Sequence, residues 1–333
     1  MAIDVHCHIV PEGFPELPCN CSPDQWPRME HRDNHQAMVM IGKREFRLVD
    51  NRCWDPARRI TDMDAGGLDM QVLSPMPELL SYWIDTDSAL AMSRHVNRAI
   101  GDMIAAAPTR FAGLGMVPLQ DPQIAAKELG RFKSEYGLAG IEIGSNILGR
   151  SPGDPFFHDF FAEAERLELA VFIHALHPSA TDRLVGPARL TPFVLFPMDV
   201  GLAAASVITS GLLDKFPALR VGFSHGGGSL SSYIHRLQNG WNKEKALQSA
   251  FGAPLDTARR FYLDNVVFDK RLLRHLLDVF GTTQIFIGSD YPFAAGQADS
   301  PAMFDDLGLT EAEKACVLRE NALRFLGMAE TGG

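Results

Sequence analysis

The chain has 333 residues, of which 46% are hydrophobic and 22% charged. That balance excludes disorder as the main state. A formal net charge of −10 offers no basic patch to a nucleic acid or an anionic membrane surface. No apolar run approaches the roughly 18 residues of a membrane span, and Met1-Ala2-Ile3-Asp4-Val5 reads as a strand rather than a leader. The five cysteines (Cys7, Cys19, Cys21, Cys53, Cys316) lack paired C-x-x-C spacing, so a reducing cytoplasm and no disulfide framework are expected.

In chain order, short apolar runs alternate with amphipathic stretches. The expected strands are residues 3–5, 70–73, 111–117, 140–143, 170–173, 220–223, 265–268 and 284–287. Asp55-Pro56, Asp121-Pro122 and Asp154-Pro155 each place a capping acid before a proline suited to a first helical turn. Helices near 56–65, 85–107 and 270–280 stop at Gly66-Gly67, Pro108 and Gly281. Eight strands mostly separated by helices predict an α/β fold, a (β/α)8 TIM barrel spanning residues 1–333 as one domain. A doubly wound sheet is the alternative, but no G-x-G-x-x-G follows the first strand.

Residues 11–54 break the rhythm between the first strand and its helix. Within them, 38–41 and 45–49 flank Gly42-Lys43-Arg44 and predict a small hairpin. An insertion there sits over the barrel mouth as a lid-like element.

The chemistry concentrates at strand ends. In His6-Cys7-His8, residues two apart on an extended chain face the same way, so both imidazoles can meet one ion. His174 ends the fifth strand, His225 follows the sixth, and Asp290 follows the eighth. In a barrel all these ends rim one mouth, where burying them together is costly unless they are paired or bind metal. A His/His/His/Asp set suits a borderline ion such as Zn²⁺ with one position left open.

With these motifs on the page, the chain resembles the amidohydrolase superfamily. Further matches run from Lys43, Phe46-Arg47 and Cys53-Trp54-Asp55-Pro56 through Ser81-Tyr82-Trp83 and His225-Gly226-Gly227-Gly228 to Gly288-Ser289-Asp290-Tyr291-Pro292-Phe293. They are similar to the 2-amino-3-carboxymuconate-6-semialdehyde decarboxylase family. The resemblance implies a zinc-dependent, non-oxidative decarboxylase of an unsaturated acid, in tryptophan or 2-nitrobenzoate breakdown. It makes His6, His8, His174 and Asp290 the metal ligands and His225 the acid/base. It gives Arg47 a substrate carboxylate. It assigns Arg236 to the neighbouring subunit's site, which implies a homodimer. Lys43, Phe193, His177 and Phe293 are the further candidate substrate contacts.

Some positions depart from the family pattern. His174-Ala175-Leu176-His177 stands where the family has His-Pro-Trp-Asp, and Phe193 stands for a tryptophan. Glu142 replaces an amide and reads as a core carboxylate or an extra ligand. Outside the decarboxylase reading, the same ligands could serve a hydrolase, a hydratase or a decarboxylase of hydroxybenzoate-type acids. Gly222-Phe223-Ser224-His225-Gly226 also matches a nucleophile elbow. An elbow needs an acid and then a histidine after the serine, yet the last histidine, His275, lies on a helix face.

Overall fold

Eight short, largely buried segments form parallel strands in the computed structural model, which describes residues 1–328 apart from 34, 294, 295 and 298. The tail of the expected 1–333 domain, residues 329–333, lies outside the described residues. In chain order the strands are β1 (Ile3–Ile9), β2 (Pro27–His31), β3 (Gln36–Ile41), β4 (Arg44–Asp50), β5 (Met70–Pro75), β6 (Phe111–Gly115), β7 (Gly140–Gly144), β8 (Ala170–His174), β9 (Val221–Phe223), β10 (Tyr262–Asp264) and β11 (Ile285–Phe286). The parallel sheet runs β1-β5-β6-β7-β8-β9-β10-β11. Backbone bonds from Val5 N–H to Ile287 O (2.8 Å) and from His8 N–H to Tyr291 O (2.7 Å) bring the last strand back to the first. The expected (β/α)8 barrel is what the chain forms.

Asp55 and Asp121 cap as read, each accepting two backbone N–H bonds at the starts of helices Pro56–Ala65 and Pro122–Leu129, and Asp269, not singled out in the sequence, does the same for Lys270–Phe280. Asp154 caps only a single turn, Pro155–Phe157, ahead of helix His158–Arg166.

The barrel interior is filled near its base by Ile3, Val5, Val72, Leu114, Phe172 and Phe286, and the terminal helix Asn321–Leu326 closes that end with Phe325. The pairing of β1 with β5 shifts register between Asp4 and Cys7. One extra residue reverses strand parity. Ile3 and Val5 therefore fill the apolar interior, while His6 and His8 reach the upper end of the same space.

Three expectations are corrected. The seventh barrel strand is Tyr262–Asp264, not 265–268. The backbone after Asp264 folds around that carboxylate, which accepts from Val266 N–H at 3.0 Å, and Phe268 takes a left-handed φ of 61°. The third barrel strand stops at Gly115 rather than at residue 117. The insertion holds more than a hairpin: β2 joins β3 and β4 in a three-stranded antiparallel sheet. Four of the five β2 residues are at least partly exposed, so its sequence lacks the apolar alternation of a packed strand.

Candidate metal centre

His6, His8, His174 and Asp290 each offer one ligand atom, and these atoms all lie within 4.8 Å of one another. The Nε2 atoms of His6 and His8 are 3.1 Å apart, and His8 Nε2 is 3.1 Å from Asp290 Oδ1. Each ring is oriented through its other nitrogen. His6 Nδ1 donates to Asp264 Oδ2 at 2.5 Å, His8 Nδ1 to Pro75 O at 3.0 Å, and His174 Nδ1 to Ala175 O at 2.8 Å. A neutral imidazole protonated at Nδ1 carries its lone pair on Nε2. Three lone pairs thus converge, and His174 Nε2 is buried with no hydrogen-bond partner. Facing lone pairs repel unless a cation lies between them, so the donor set fits a metal ion.

Charge points the same way. Burial alone would lower the His6 pKa, but the Asp264 hydrogen bond and charge push it up to about 9. That demand for positive charge at His6 is met by a cation on Nε2. Burial would raise Asp264 and Asp290, yet the neighbouring histidines hold both below the usual carboxylate range. Burial, then the charge of His6, pushes His174 well below the ordinary imidazole value.

The close packing requires Gly288. A Cβ there would lie 2.8 Å from both His6 Cβ and Asp264 Cβ. Asp290 itself sits at φ 59°, a conformation Asp adopts more readily than most residues.

His225 stands beside the four ligands. Its ring centroid is 5.1 Å from that of His174 and 5.5 Å from that of His6, and Phe196 stacks on its other side. Its backbone N–H donates to Asp264 Oδ2 at 2.9 Å. Burial, followed by the charge of His6, lowers its pKa to about 4, which leaves it a neutral base near neutral pH. Ser224 is fully buried, with its hydroxyl only 3.3 Å from His225 Nδ1. An exposed elbow nucleophile is not what this loop presents.

A cavity of about 740 Å³ opens above the centre, with His8, His174, His225 and Asp290 in its lining. Arg47 reaches it from β4, and its guanidinium lies 4.3 Å from the centroid of Phe293. Phe293 in turn stacks on His8, with centroids 5.5 Å apart. Among the described residues Arg47 has no hydrogen-bonding or ion-pair partner. Phe193 and His177 also line this cavity. Lys43 instead lines a separate depression with Glu12 and Trp26. Arg236 is exposed on helix Leu230–Lys243 and does not line this chain's cavity. Glu142 is fully buried, with neither oxygen hydrogen-bonded among the described residues, and it lies outside the four-ligand group.

Sequence reasoning missed Asp264, the shared anchor of His6 and His225. The signal was present: a carboxylate closing the apolar-led run Tyr262-Leu263-Asp264, like the other site residues at their strand ends. Arg59, one of the residues that carry the family resemblance but given no role from sequence, is a buried guanidinium that donates to His8 O at 2.8 Å, to Arg52 O at 2.9 Å and to Gln71 Oε1 at 3.0 Å.

Residues 3–328 match the amidohydrolase family. The chain is 34% identical over 332 residues to 2-amino-3-carboxymuconate-6-semialdehyde decarboxylase of Dictyostelium discoideum, covering 98% of this chain and 92% of the other. The 5-carboxyvanillate decarboxylase of Sphingomonas paucimobilis superposes with a TM-score of 0.75 at 28% identity, covering 82% of this chain and 83% of that one. A 5-carboxyvanillate decarboxylase of Novosphingobium aromaticivorans, complexed with manganese and a nitrobenzoic acid, gives 0.73 at 25% identity, covering 84% and 82%. With a match over almost its whole length, this chain belongs to the amidohydrolase family.

Proposed function

We propose that the chain is a zinc-dependent, non-oxidative decarboxylase that converts 2-amino-3-carboxymuconate 6-semialdehyde to 2-aminomuconate 6-semialdehyde and carbon dioxide. The coarser reading, a metal-dependent decarboxylase of the amidohydrolase superfamily, holds independently of that substrate. The observation that carries it is the convergence of three imidazole Nε2 atoms and one carboxylate beneath a cavity that also holds an unpaired guanidinium. All three relatives above are decarboxylases by name, which leaves a hydrolase or hydratase the less supported reading.

His6, His8, His174 and Asp290 would hold one ion. Three nitrogens and one oxygen suit Zn²⁺, whereas manganese, present in the Novosphingobium relative, favours more oxygen ligands. When bound, the ion supplies Lewis-acid chemistry at the reacting group. His225 carries the proton: the bond to the leaving carboxylate breaks, its electron pair stays on the carbon, and that carbon ends protonated. Arg47 holds a carboxylate that remains on the substrate, and the Phe293 ring beneath it fixes the guanidinium plane. Phe46 and Arg47 bring the insertion to the cavity, which supports its lid-like role.

Arg236 makes no hydrogen bond or ion pair among the described residues, and helix Thr191–Thr209 exposes Phe193, Val194, Met198 and Leu202. An apolar face beside an unpaired cation supports a homodimer in which Arg236 enters the other copy's site.

The test pairs metal analysis with the absorbance decay of the semialdehyde and capture of carbon dioxide. One zinc per chain and equimolar carbon dioxide are expected. Dialysis against a chelator should lower the rate more than about 100-fold, and added zinc should restore it. A fully metal-loaded protein that releases no carbon dioxide would reject the reading. Arg47→Met should raise KM by about 10- to 100-fold with kcat changed only a few-fold, because a charged hydrogen-bond pair made equally in ground and transition states is lost.

A further inference from the structure

A second polar group on the cavity wall has no part in the chemistry above. The loops after β5 and β8 meet there, where Glu78 Oε1 lies 3.6 Å from His177 Nε2. The His177 ring stacks on Trp83, with centroids 4.4 Å apart and planes 27° from parallel. Both Glu78 and His177 line the cavity. Glu78 makes no hydrogen bond among the described residues, so its carboxylate is an open acceptor facing that space.

The placement is built rather than incidental. His177 has φ 41° and Ala180 φ 62°. Left-handed backbone at non-glycine residues costs of order 1 kcal/mol each and persists only where surroundings enforce it. Asn146 Nδ2 enforces it here by donating to Leu176 O at 2.9 Å, His177 O at 3.2 Å and Asp199 Oδ2 at 3.0 Å. Asp199, nearly buried, also accepts from the Ser179 backbone N–H and hydroxyl, both at 3.0 Å.

Glu78 follows β5, the strand paired with β1, and His177 follows β8, the fifth of the eight barrel strands. Arg47 packs on Phe293, beside His8 of β1. The cavity therefore presents both a cation, Arg47, and an anionic acceptor, Glu78.

We propose that Glu78, set against His177 on the Trp83 ring, is a specificity determinant that accepts a hydrogen bond from an amine or hydroxyl of the substrate acid. This deepens the decarboxylase reading and rests on it. An ether offers Glu78 no donor, and a carboxylate placed beside it is repelled, so amino and hydroxy acids are selected over both.

Calorimetric titration of the zinc-loaded protein with 4-hydroxybenzoate, 4-methoxybenzoate and terephthalate tests this without turnover. Wild type should bind the hydroxy acid about tenfold more tightly than the other two. In Glu78→Gln the advantage over terephthalate should contract to within about threefold, chiefly because terephthalate gains. His177→Asn, which keeps a residue tolerant of the left-handed backbone, leaves the Glu78 charge in place and should retain the preference over terephthalate. No preference in wild type, or an unchanged preference in Glu78→Gln, overturns the proposal. So does equal weakening of all three acids in both variants, which is what a merely structural wall would give. Failure of the decarboxylase reading shows separately, as absence of carbon dioxide from the loaded wild type.

Discussion

Replacing His225 with alanine is expected to lower kcat by roughly 10³-fold while metal content stays at the wild-type level. The geometry separates these two effects. His225 lies outside the group of four converging ligand atoms, so its removal leaves all four in place. Its backbone N–H, not its ring, holds Asp264, so the anchor of His6 also survives. What is lost is the neutral imidazole that stands beside the four ligand residues without belonging to their set. The backbone at this position has φ 56°, which strains alanine. His225→Asn is the companion variant, because Asn accepts that conformation and still cannot shuttle the proton. Both should show the same rate loss, and metal analysis beside single-turnover kinetics reads it. Loss of metal in both would make His225 a ligand and remove its assigned role.

The strand ends were legible because a parallel barrel strand is buried on both faces and reads as a nearly unbroken apolar run. In Val171-Phe172-Ile173-His174 the polar residue then marks where the strand leaves the core. Asp264 escaped because the apolar run Val266-Val267-Phe268 drew the strand assignment past it. The true strand is three residues long, and its closing carboxylate turns the chain by capturing the following N–H groups. The pairing of His6 with His8 followed from strand alternation, but the register shift beneath them did not, since an irregularity in β1 leaves no mark in the residue pattern. The cavity wall was least legible of all. Glu78 and His177 come from separate loops, and only the closed barrel and the Asn146–Asp199 brace bring them together.

The carboxylate of Asp264 supports the second large effect. Its two oxygens accept from four donors: Oδ1 from Gly226 N–H at 2.8 Å and Val266 N–H at 3.0 Å, Oδ2 from His6 Nδ1 at 2.5 Å and His225 N–H at 2.9 Å. Asparagine has the same shape but only one accepting oxygen. With that oxygen toward Gly226 and Val266, its amide N–H donates to His6 Nδ1. The His6 proton is then forced onto Nε2, the nitrogen that must carry a free lone pair for the metal. With the amide reversed, two N–H groups face the backbone N–H groups of Gly226 and Val266, and the loop carrying His225 is displaced. Either orientation damages the site while removing no ligand. Asp264→Asn should therefore weaken zinc binding by about 100-fold, the upper end for loss of a carboxylate behind a ligating histidine. Competition against a chromophoric chelator measures the affinity, and ¹⁵N shifts of the His6 ring report which nitrogen holds the proton. Wild-type zinc affinity in this variant, with the native fold confirmed by circular dichroism, would show that Asp264 only packs against the centre and does not set its tautomer.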